Sequence, residues 1–524
     1  MSDNSNWFND RTWSISGNKE MEFAEKESKN GDGPFAAGTI VVFPKSTLEV
    51  SLLLSSVDHR DCAIAVVCGG HSSSNVATWP CSLVEGSAAG DVKDRTLILD
   101  MKHMSSIIVN EKRVVTVGGG TLLRQLAETC ARENCALPIG TGPTVGVAGY
   151  VLNGGISGYF GRRLGMLGQR VTGLEIVLAN GDIKTLSSPC PDSVRKEDDV
   201  DLFRACLGAG SAMGVVTSLT LTMDDDSSFR TGGSIVFACS TKSVAKAFLA
   251  KALTFMKVSI MPLSPPSTSM EIVITHDFTV ICTLMYYDTF AGDPETFAEP
   301  LRQAAVECDV PIVADGLSSH KSWFSAASSL WGVIDRMKGD PLIRMDHCIG
   351  SEHIPSDEML EFLLDRWLGN FLQKAPLSII EIRTLGGEAS KGANDKHHLP
   401  TGNVKCSFHA DMIVAYDAST VAPEDKSGIL AEVHDIIADA KKMRSGGLMV
   451  DFSGTHFQSD DPTSLLPEGD DVFGGAENHA FVRATKKMHD PCNRFRHHPF
   501  SSYFLGEYNR ETRVPQRSKG QRAL

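Results

Sequence analysis

Between residues 39 and 222 the chain alternates short apolar runs with glycine clusters. The apolar runs TIVVFP from residue 39, AIAVV from 63, TLILD from 96 and RVVTV from 113 have the length of strands. Residues 121–130 carry apolar side chains at helical spacing, and Asn180-Gly181 is a hairpin turn signal. This part of the chain is therefore predicted to form an α+β domain of many short strands.

Beyond residue 229 the apolar pattern becomes longer. Strand candidates at residues 232–240 and 279–288 are interleaved with helical patterns at 244–256, 294–307 and 357–371. Strands and helices in this order favour an antiparallel sheet that helices cover on one face.

Two polar stretches divide the chain. The acidic residues 224–228 indicate the exit from the first domain, and a passage rich in Pro, Asp and Gly at 458–475 precedes a short C-terminal segment. We therefore expect an N-terminal part at 1–228, a second domain at 229–457 and a C-terminal segment at 458–524.

Composition narrows the function classes. A chain of 524 residues, 42% of them hydrophobic, can bury a large core, and a formal charge of -14 disfavours nucleic acid and anionic membranes as partners. The apolar runs are strand-sized and the polar start lacks a secretory signal, so a soluble cytoplasmic protein is expected. The 13 cysteines form no CxxC pair, which indicates free thiols, and no metal site is predicted among the histidines.

Three glycine clusters carry the candidate chemistry. Residues 68–75 (CGGHSSSN) follow a strand, so their backbone N–H groups and serine hydroxyls could converge on a pyrophosphate. Residues 117–120 (VGGG) lack the GxGxxG spacing of a nicotinamide-dinucleotide site and are interpreted as a tight turn. Residues 138–158 are glycine-rich over a longer span, which suits a backbone that lies flat against a large planar ligand; a loop without ligand is the alternative.

Several motifs occur in a fixed order along the chain: VxGGH at residues 67–71, PTVGVAG at 143–149, NGG at 153–155, LFRACLGAGSAMGVVTSLTL at 202–221 and HDPCNRF at 489–495. Together they resemble the berberine-bridge-enzyme-like branch of the vanillyl-alcohol-oxidase flavoproteins. The resemblance implies a PCMH-type FAD-binding domain built from both ends of the chain, with a substrate domain between them. The implied FAD-binding residues are Cys68, Gly69, Gly70, His71, Ser72, Ser73, Asn75, Gly140, Gly142, Thr144, Val145, Gly146, Gly149, Asn153, Gly154, Gly155, Val215, Val216 and Asn493.

The same resemblance places His71 where relatives carry a covalently linked flavin. The alternative is that His71 is a surface residue, as a lone histidine in a glycine turn usually is. Gly142 stands where many relatives have a second flavin-linking cysteine, so a single link is implied. Ser73 and Leu164 stand where relatives often have tyrosine, so the substrate of a relative does not transfer to this chain.

The resemblance also locates a catalytic strand at residues 405–416. It puts Asp411 where relatives carry the catalytic Glu or Gln, and alternation puts Ser407, His409 and Asp411 on one face. Asp411 is the first candidate base and His409 the second, whereas a solvated polar face of an edge strand is the alternative. The arginines Arg162 and Arg163 are expected to be solvated and are given no role.

These features predict an FAD-dependent oxidase of an alcohol or a carbohydrate hydroxyl. A base would take the hydroxyl proton while hydride passes to the flavin, and dioxygen would then yield hydrogen peroxide. Val145 lies where the resemblance places a side chain that gates dioxygen. The alternatives are a flavoprotein that binds a ligand without turnover and a dehydrogenase with another acceptor. The sequence does not define the substrate or the oligomeric state.

Overall fold

A computed structural model describes most of the chain. The described residues are 9–15, 19–25, 39–56, 62–71, 95–110, 113–188, 197–263, 265–320, 322–329, 331, 342–391, 399–417, 421–442, 448–450 and 469–495. The predicted FAD ligands Ser72, Ser73 and Asn75 lie outside these ranges. Among the described residues, no helix is both long enough and apolar enough to cross a membrane.

The first sheet contains five strands in the order β1-β2-β3-β5-β4. They are β1 (Asn9–Ile15), β2 (Lys19–Glu25), β3 (Thr39–Val42), β4 (Cys62–Val67) and β5 (Arg95–Asp100). Strands β3, β5 and β4 run parallel, and helix α1 (Thr47–Ser56) follows β3. Strand β4 ends directly before the first glycine loop, so this loop begins at the carboxyl end of β4.

The second sheet is antiparallel, in the order β10-β9-β11-β7-β6. Its strands are β6 (Ile107–Val109), β7 (Val114–Gly118), β9 (Val171–Val177), β10 (Ile183–Ser187) and β11 (Val215–Thr222), and a small ladder joins β8 (Cys135–Ala136) to β12 (Asp224–Asp225). The predicted hairpin is confirmed, because Gly181 has a φ of +90° between β9 and β10 and Asn180 Oδ1 accepts from Asp182 N. The helices here are α2 (Leu123–Arg132), α3 (Val147–Leu152), α4 (Gly161–Leu164) and α5 (Glu197–Cys206).

The middle of the chain forms an eight-stranded antiparallel sheet in the order β16-β13-β15-β14-β18-β19-β17-β20. Its strands are β13 (Phe229–Ala238), β14 (Thr268–Thr275), β15 (Thr279–Tyr287), β16 (Ile312–Asp315), β17 (Leu342–Ser351), β18 (Ile379–Thr384), β19 (Phe408–Asp417) and β20 (Leu448–Val450). The helices of this region are α6 (Lys242–Phe255), α7 (Pro294–Phe297), α8 (Glu299–Glu307), α9 (Trp323–Ser328), α10 (Asp357–Phe362), α11 (Asn370–Lys374) and α12 (Pro423–Lys442).

Helices cover one face of this sheet, as the apolar pattern predicts. Alternate strand residues such as Ile382, Ala410 and Met412 are buried in one core cluster with helix residues such as Phe248 and Phe371. The α+β fold class is confirmed. Because side chains alternate along a strand, the residues between these core positions point to the opposite face of the sheet.

The C-terminal segment returns to the N-terminal sheets through α13 (Gly469–Val472) and α14 (Ala476–His489). The Arg494 guanidinium is fully buried and donates to the main-chain oxygens of Leu54 (2.9 Å) and Ala179. Ile64 N, on β4, donates to the Arg494 carbonyl at 2.9 Å. The two ends of the chain therefore build one folded unit.

Candidate flavin site and active site

Two of the predicted flavin loops lie against each other. A Cβ atom added at Gly69 would lie 2.3 Å from Gly146 N, and one at Gly146 would lie 2.3 Å from Cys68 Sγ. Only glycine allows such an approach of two backbones. The loops at 68–71 and 142–146 are thus held together without intervening side chains.

This contact brings His71 to the glycine loop at residues 142–146. His71 Nε2 lies 2.5 Å from Thr144 Oγ1, and Gly142 is two residues from Thr144. Residue 142, for which the resemblance implies the second flavin link of many relatives, therefore lies on the loop that contacts His71. Glycine at residue 142 leaves no side chain there.

The glycine-rich stretch at residues 138–158 continues beyond this loop. Gly154 and Gly155 both have positive φ angles, +91° and +74°, and a Cβ atom at Gly149 would meet no other atom within 4 Å. Asn153 donates through Nδ2 to Gly149 O at 2.8 Å, while its Oδ1 is buried without a hydrogen-bond partner in the described part of the chain. A buried acceptor beside a bare backbone fits a polar ligand at this place.

Other predicted flavin residues lie deeper in the fold. The side chains of Val215 and Val216 are buried in two different core clusters, so only their main chain could face a ligand. Asn493 is 1% exposed and precedes the Arg494 anchor. The glycines at 118–120 use their N–H groups for main-chain bonds within the protein, as a tight turn requires.

We call residues 68–71 and 140–155, the candidate flavin site, the glycine cradle. Sequence reasoning missed two polar residues at this cradle. The Thr121 hydroxyl is buried without a partner among the described residues, and the Thr121 carbonyl accepts from Val147 N at 2.8 Å. The Tyr150 ring packs against the two glycines Gly140 and Gly155, and its hydroxyl donates to Ile156 O. Burial raises the pKa of Tyr150 above its ordinary value, so this phenol is neutral.

The predicted catalytic residues lie on the face of the eight-stranded sheet that is opposite to the helices. His409 and Asp411 are 1% and 7% exposed, and His409 Nδ1 lies 3.7 Å from Asp411 Oδ2. The edge-strand alternative is wrong, because β19 lies between β18 and β17. Ser407 precedes β19, and its hydroxyl donates to Glu352 O instead.

Cross-strand pairing surrounds Asp411 and His409 with ionisable side chains. Arg383 pairs with His409 and Glu381 pairs with Asp411 across β18 and β19, and Glu271 on β14 pairs with Arg383. The guanidinium contacts all three carboxylates, with 2.8 Å between Arg383 Nε and Glu271 Oε1. We call these five residues the ionic cluster.

The charges of the ionic cluster stabilise each other. Burial alone would lower the pKa of the Arg383 guanidinium, but the charges of Asp411 and Glu271 outweigh this effect and raise the pKa above its ordinary value. Arg383 is therefore a permanent cation. Its contact with Asp411 favours the ionised form of that carboxyl group.

Asp411 also contacts Cys348 on β17, whose thiol donates to Asp411 Oδ1. Ligand atoms of Cys348, His409 and Asp411 lie within 4.8 Å of one another, a set that could hold a metal ion. However, Arg383 Nη1 donates to Asp411 Oδ2 and lies 3.3 Å from His409 Nδ1. A cation among these groups would be repelled by the guanidinium, so the geometry favours hydrogen bonding over metal coordination.

The ionic cluster faces the glycine-rich loop of the flavin site. A Cβ atom at Gly158 would lie 2.9 Å from Arg383 Cδ and from Glu271 Oε1. Gly158 follows the cradle residues directly along the chain. A flavin held by the cradle would therefore lie at the side of the sheet that carries the candidate base.

The expectation that both turn arginines are solvated is wrong for Arg162. Its side chain is buried and donates to main-chain oxygens of the middle region of the chain, among them Leu385 (2.7 Å), Thr268 (3.1 Å) and Ile260 (3.1 Å). Burial lowers the pKa of this guanidinium. Arg163 instead forms a partly exposed pair with Asp288.

Comparison with known proteins identifies the N-terminal part. Residues 38–187 match the family described as FAD binding domain. The chain is 30% identical over 183 residues to (R)-6-hydroxynicotine oxidase of Paenarthrobacter nicotinovorans, which covers 35% of each chain. It is 28% identical over 207 residues to glucooligosaccharide oxidase of Sarocladium strictum, which covers 38% of this chain and 37% of the relative. The matches thus span little more than a third of these relatives.

Solved structures extend the likeness to nearly the whole chain. The Acremonium strictum glucooligosaccharide oxidase has a TM-score of 0.68 at 19% identity and covers 90% of this chain and 94% of its own. A berberine bridge enzyme variant has a TM-score of 0.65 at 17% identity and covers 88% and 89%. At such identities the likeness shows the fold alone. The chain therefore carries an FAD-binding domain of the PCMH type and has the fold of the vanillyl-alcohol-oxidase flavoproteins, the family that its motifs resemble.

Proposed function

We propose that this protein is an FAD-dependent oxidase of an alcohol or a carbohydrate hydroxyl. The observation that carries the proposal is the buried pair of Asp411 and His409 on the sheet face that lies toward the glycine cradle. A base in this position can take a hydroxyl proton while the same carbon gives up hydride. When bound, FAD accepts that hydride and passes the two electrons to dioxygen, which gives hydrogen peroxide.

Asp411 is assigned as the base. Its two oxygens accept hydrogen bonds from Cys348 and Arg383, one on each oxygen. An ionised carboxylate accepts hydrogen bonds and donates none, so it can take the proton of a substrate hydroxyl. The bonds orient the carboxylate within a site from which water is largely excluded, which reduces the reorganisation needed for proton transfer.

His71 is assigned as the residue that carries the flavin covalently. Support comes from its contact with the glycine loop at residues 142–146, where Thr144 Oγ1 lies within hydrogen-bonding distance of His71 Nε2. A solved glucooligosaccharide oxidase carries a 6-S-cysteinyl, 8α-N1-histidyl FAD. Because residue 142 is glycine, we propose only the histidyl link for this protein.

The substrate class is supported by the names of the structural neighbours. They include a chitooligosaccharide oxidase, a glucooligosaccharide oxidase and a xylooligosaccharide oxidase with bound xylobiose. Each shares less than a fifth of its residues with this chain, so these names supply the first compounds to test. Dioxygen is proposed as the acceptor, with Val145 near its path.

Anaerobic mixing of the purified holoprotein with a panel of sugars, oligosaccharides and primary alcohols tests the proposal. We expect the flavin absorbance to bleach with at least one member and to return, with hydrogen peroxide, when air is admitted. Bleaching without rapid return in air would indicate a dehydrogenase that uses another acceptor. No bleaching by any hydroxyl compound would refute the proposed reaction and favour a flavoprotein that binds its ligand without turnover.

A further inference from the structure

The hydrogen bonds of Arg383 distinguish the two candidate bases. Arg383 Nη1 lies 3.3 Å from His409 Nδ1, within hydrogen-bonding distance, and also donates to Asp411 Oδ2. The separation between His409 Nδ1 and Asp411 Oδ2 is 3.7 Å, which is too long for a hydrogen bond. The partner of Nδ1 within this cluster is therefore the guanidinium.

This geometry fixes the tautomer of His409. A guanidinium has five N–H donors and no acceptor, so Nδ1 must present its lone pair to Arg383. A neutral imidazole carries one proton, which then resides on Nε2. Protonation of Nδ1 would bring an N–H and a positive charge against a permanent cation. The neutral Nε2–H form is therefore the stable one.

We propose that Arg383 is a positioning residue that holds His409 as the neutral Nε2–H tautomer and Asp411 as the carboxylate. Asp411 is then the only base of the pair, and His409 serves as a hydrogen-bond donor. The assignment rests on the proposed oxidase function for its catalytic meaning. The protonation states themselves are properties of the resting protein and can be measured without substrate.

Three carboxylates contact the Arg383 guanidinium, and one of them, Glu271, offers a control variant for the substitutions of Arg383. Glu271 contacts Nε, whereas Asp411 and His409 contact Nη1. Glu271→Gln removes a charge on the far side of Arg383 and leaves the bonds of Nη1 in place. Arg383→Lys keeps the charge but loses the planar fork, since an ammonium group is a compact point charge. Arg383→Gln loses both.

The direct test is a long-range ¹H–¹⁵N correlation spectrum of the holoprotein labelled with ¹⁵N-histidine. His409→Gln assigns the signal of His409 among the 16 histidines by its disappearance. We expect an unprotonated Nδ1 and a protonated Nε2 at pH 6–8 in the wild type and in Glu271→Gln. Arg383→Lys should show the Nδ1–H tautomer or a titrating ring. A wild-type His409 that is protonated at Nδ1 would overturn the proposal.

The acid limb of flavin reduction provides the second readout. Removing an opposite charge at this distance raises the ionisation midpoint of a carboxyl group by about one to three pH units. The midpoint should therefore move up in Arg383→Gln, and less in Arg383→Lys, provided that each variant retains its flavin. An acid limb that stays in place in both variants contradicts the role of Arg383. Failure of the wild type to be reduced by any hydroxyl compound would refute the oxidase function, while the spectrum would still decide the tautomer.

Discussion

Replacing Asp411 with asparagine isolates its proton affinity from its shape. Arg383 requires an acceptor, so the asparagine carbonyl should take the position of Oδ2. The amide NH₂ then replaces Oδ1 beside Cys348, where it cannot accept a proton. The variant thus keeps the packing and the contact with Arg383 but has no base.

The expected effect is large on the reaction and small on the fold. A positioned base contributes about 10²- to 10⁴-fold to a rate, so flavin reduction should slow by at least about a hundredfold, on the order of 2.7 kcal/mol in activation free energy. The variant also removes one of three carboxylates that share a single guanidinium. Its free energy of unfolding should therefore stay the same or rise.

Anaerobic stopped-flow reduction at saturating substrate measures this effect, with flavin content and thermal unfolding as controls. Only the carboxylate can accept the proton, so the wild-type rate should fall as the pH falls. This fall is the acid limb of flavin reduction. The variant should lack this limb. Near wild-type reduction in Asp411→Asn, with loss of reduction in His409→Gln, would show that His409 is the base.

Three further predictions concern the flavin link, the reoxidation of the flavin and the burial of Arg162. Wild-type protein should stay yellow after acid precipitation and His71→Ala should release its flavin, whereas colour that washes out of the wild type contradicts the covalent link. Val145→Leu should slow reoxidation by air and spare anaerobic reduction; wild-type reoxidation that already takes minutes contradicts a gate at this residue. Arg162→Met leaves main-chain acceptors buried and should lower the free energy of unfolding by about 3 kcal/mol, against about 0–1 kcal/mol for Arg163→Met, and equal losses would refute the anchoring role.

Local patterns were sufficient to predict structural features that lie within one loop or one strand. Glycine spacing indicated the loops that carry His71 and Asn153, because close backbone approach and positive φ angles leave a direct mark on the sequence. Alternation along one strand likewise placed His409 and Asp411 on a common face. No such pattern indicated Tyr150 or its packing across the cradle, since its partners are glycines without side chains.

Contacts between distant strands were beyond the reach of these patterns. Arg383 is separated from Glu271 by 112 residues, and the pairing of their strands depends on the order of the whole sheet. Arg162 was misjudged for a similar reason. Its partners are main-chain oxygens of the middle region of the chain, about 100 to 220 residues away, and main-chain acceptors have no sequence signature.

The composition of the sheet face itself argues that the ionic cluster serves a function. On the same face of β14, β18 and β19, the residues Val273, Ile379 and Ile413 pack together as an apolar cluster. Two residues further along each strand, the same face carries ionisable side chains in place of apolar ones, namely Glu271, Glu381 and Asp411. Buried ion pairs generally contribute no more stability than well-packed apolar side chains of similar volume. A purely structural face would be expected to continue the apolar cluster, so the change to ionisable residues on the side of the glycine cradle supports a functional role for the ionic cluster.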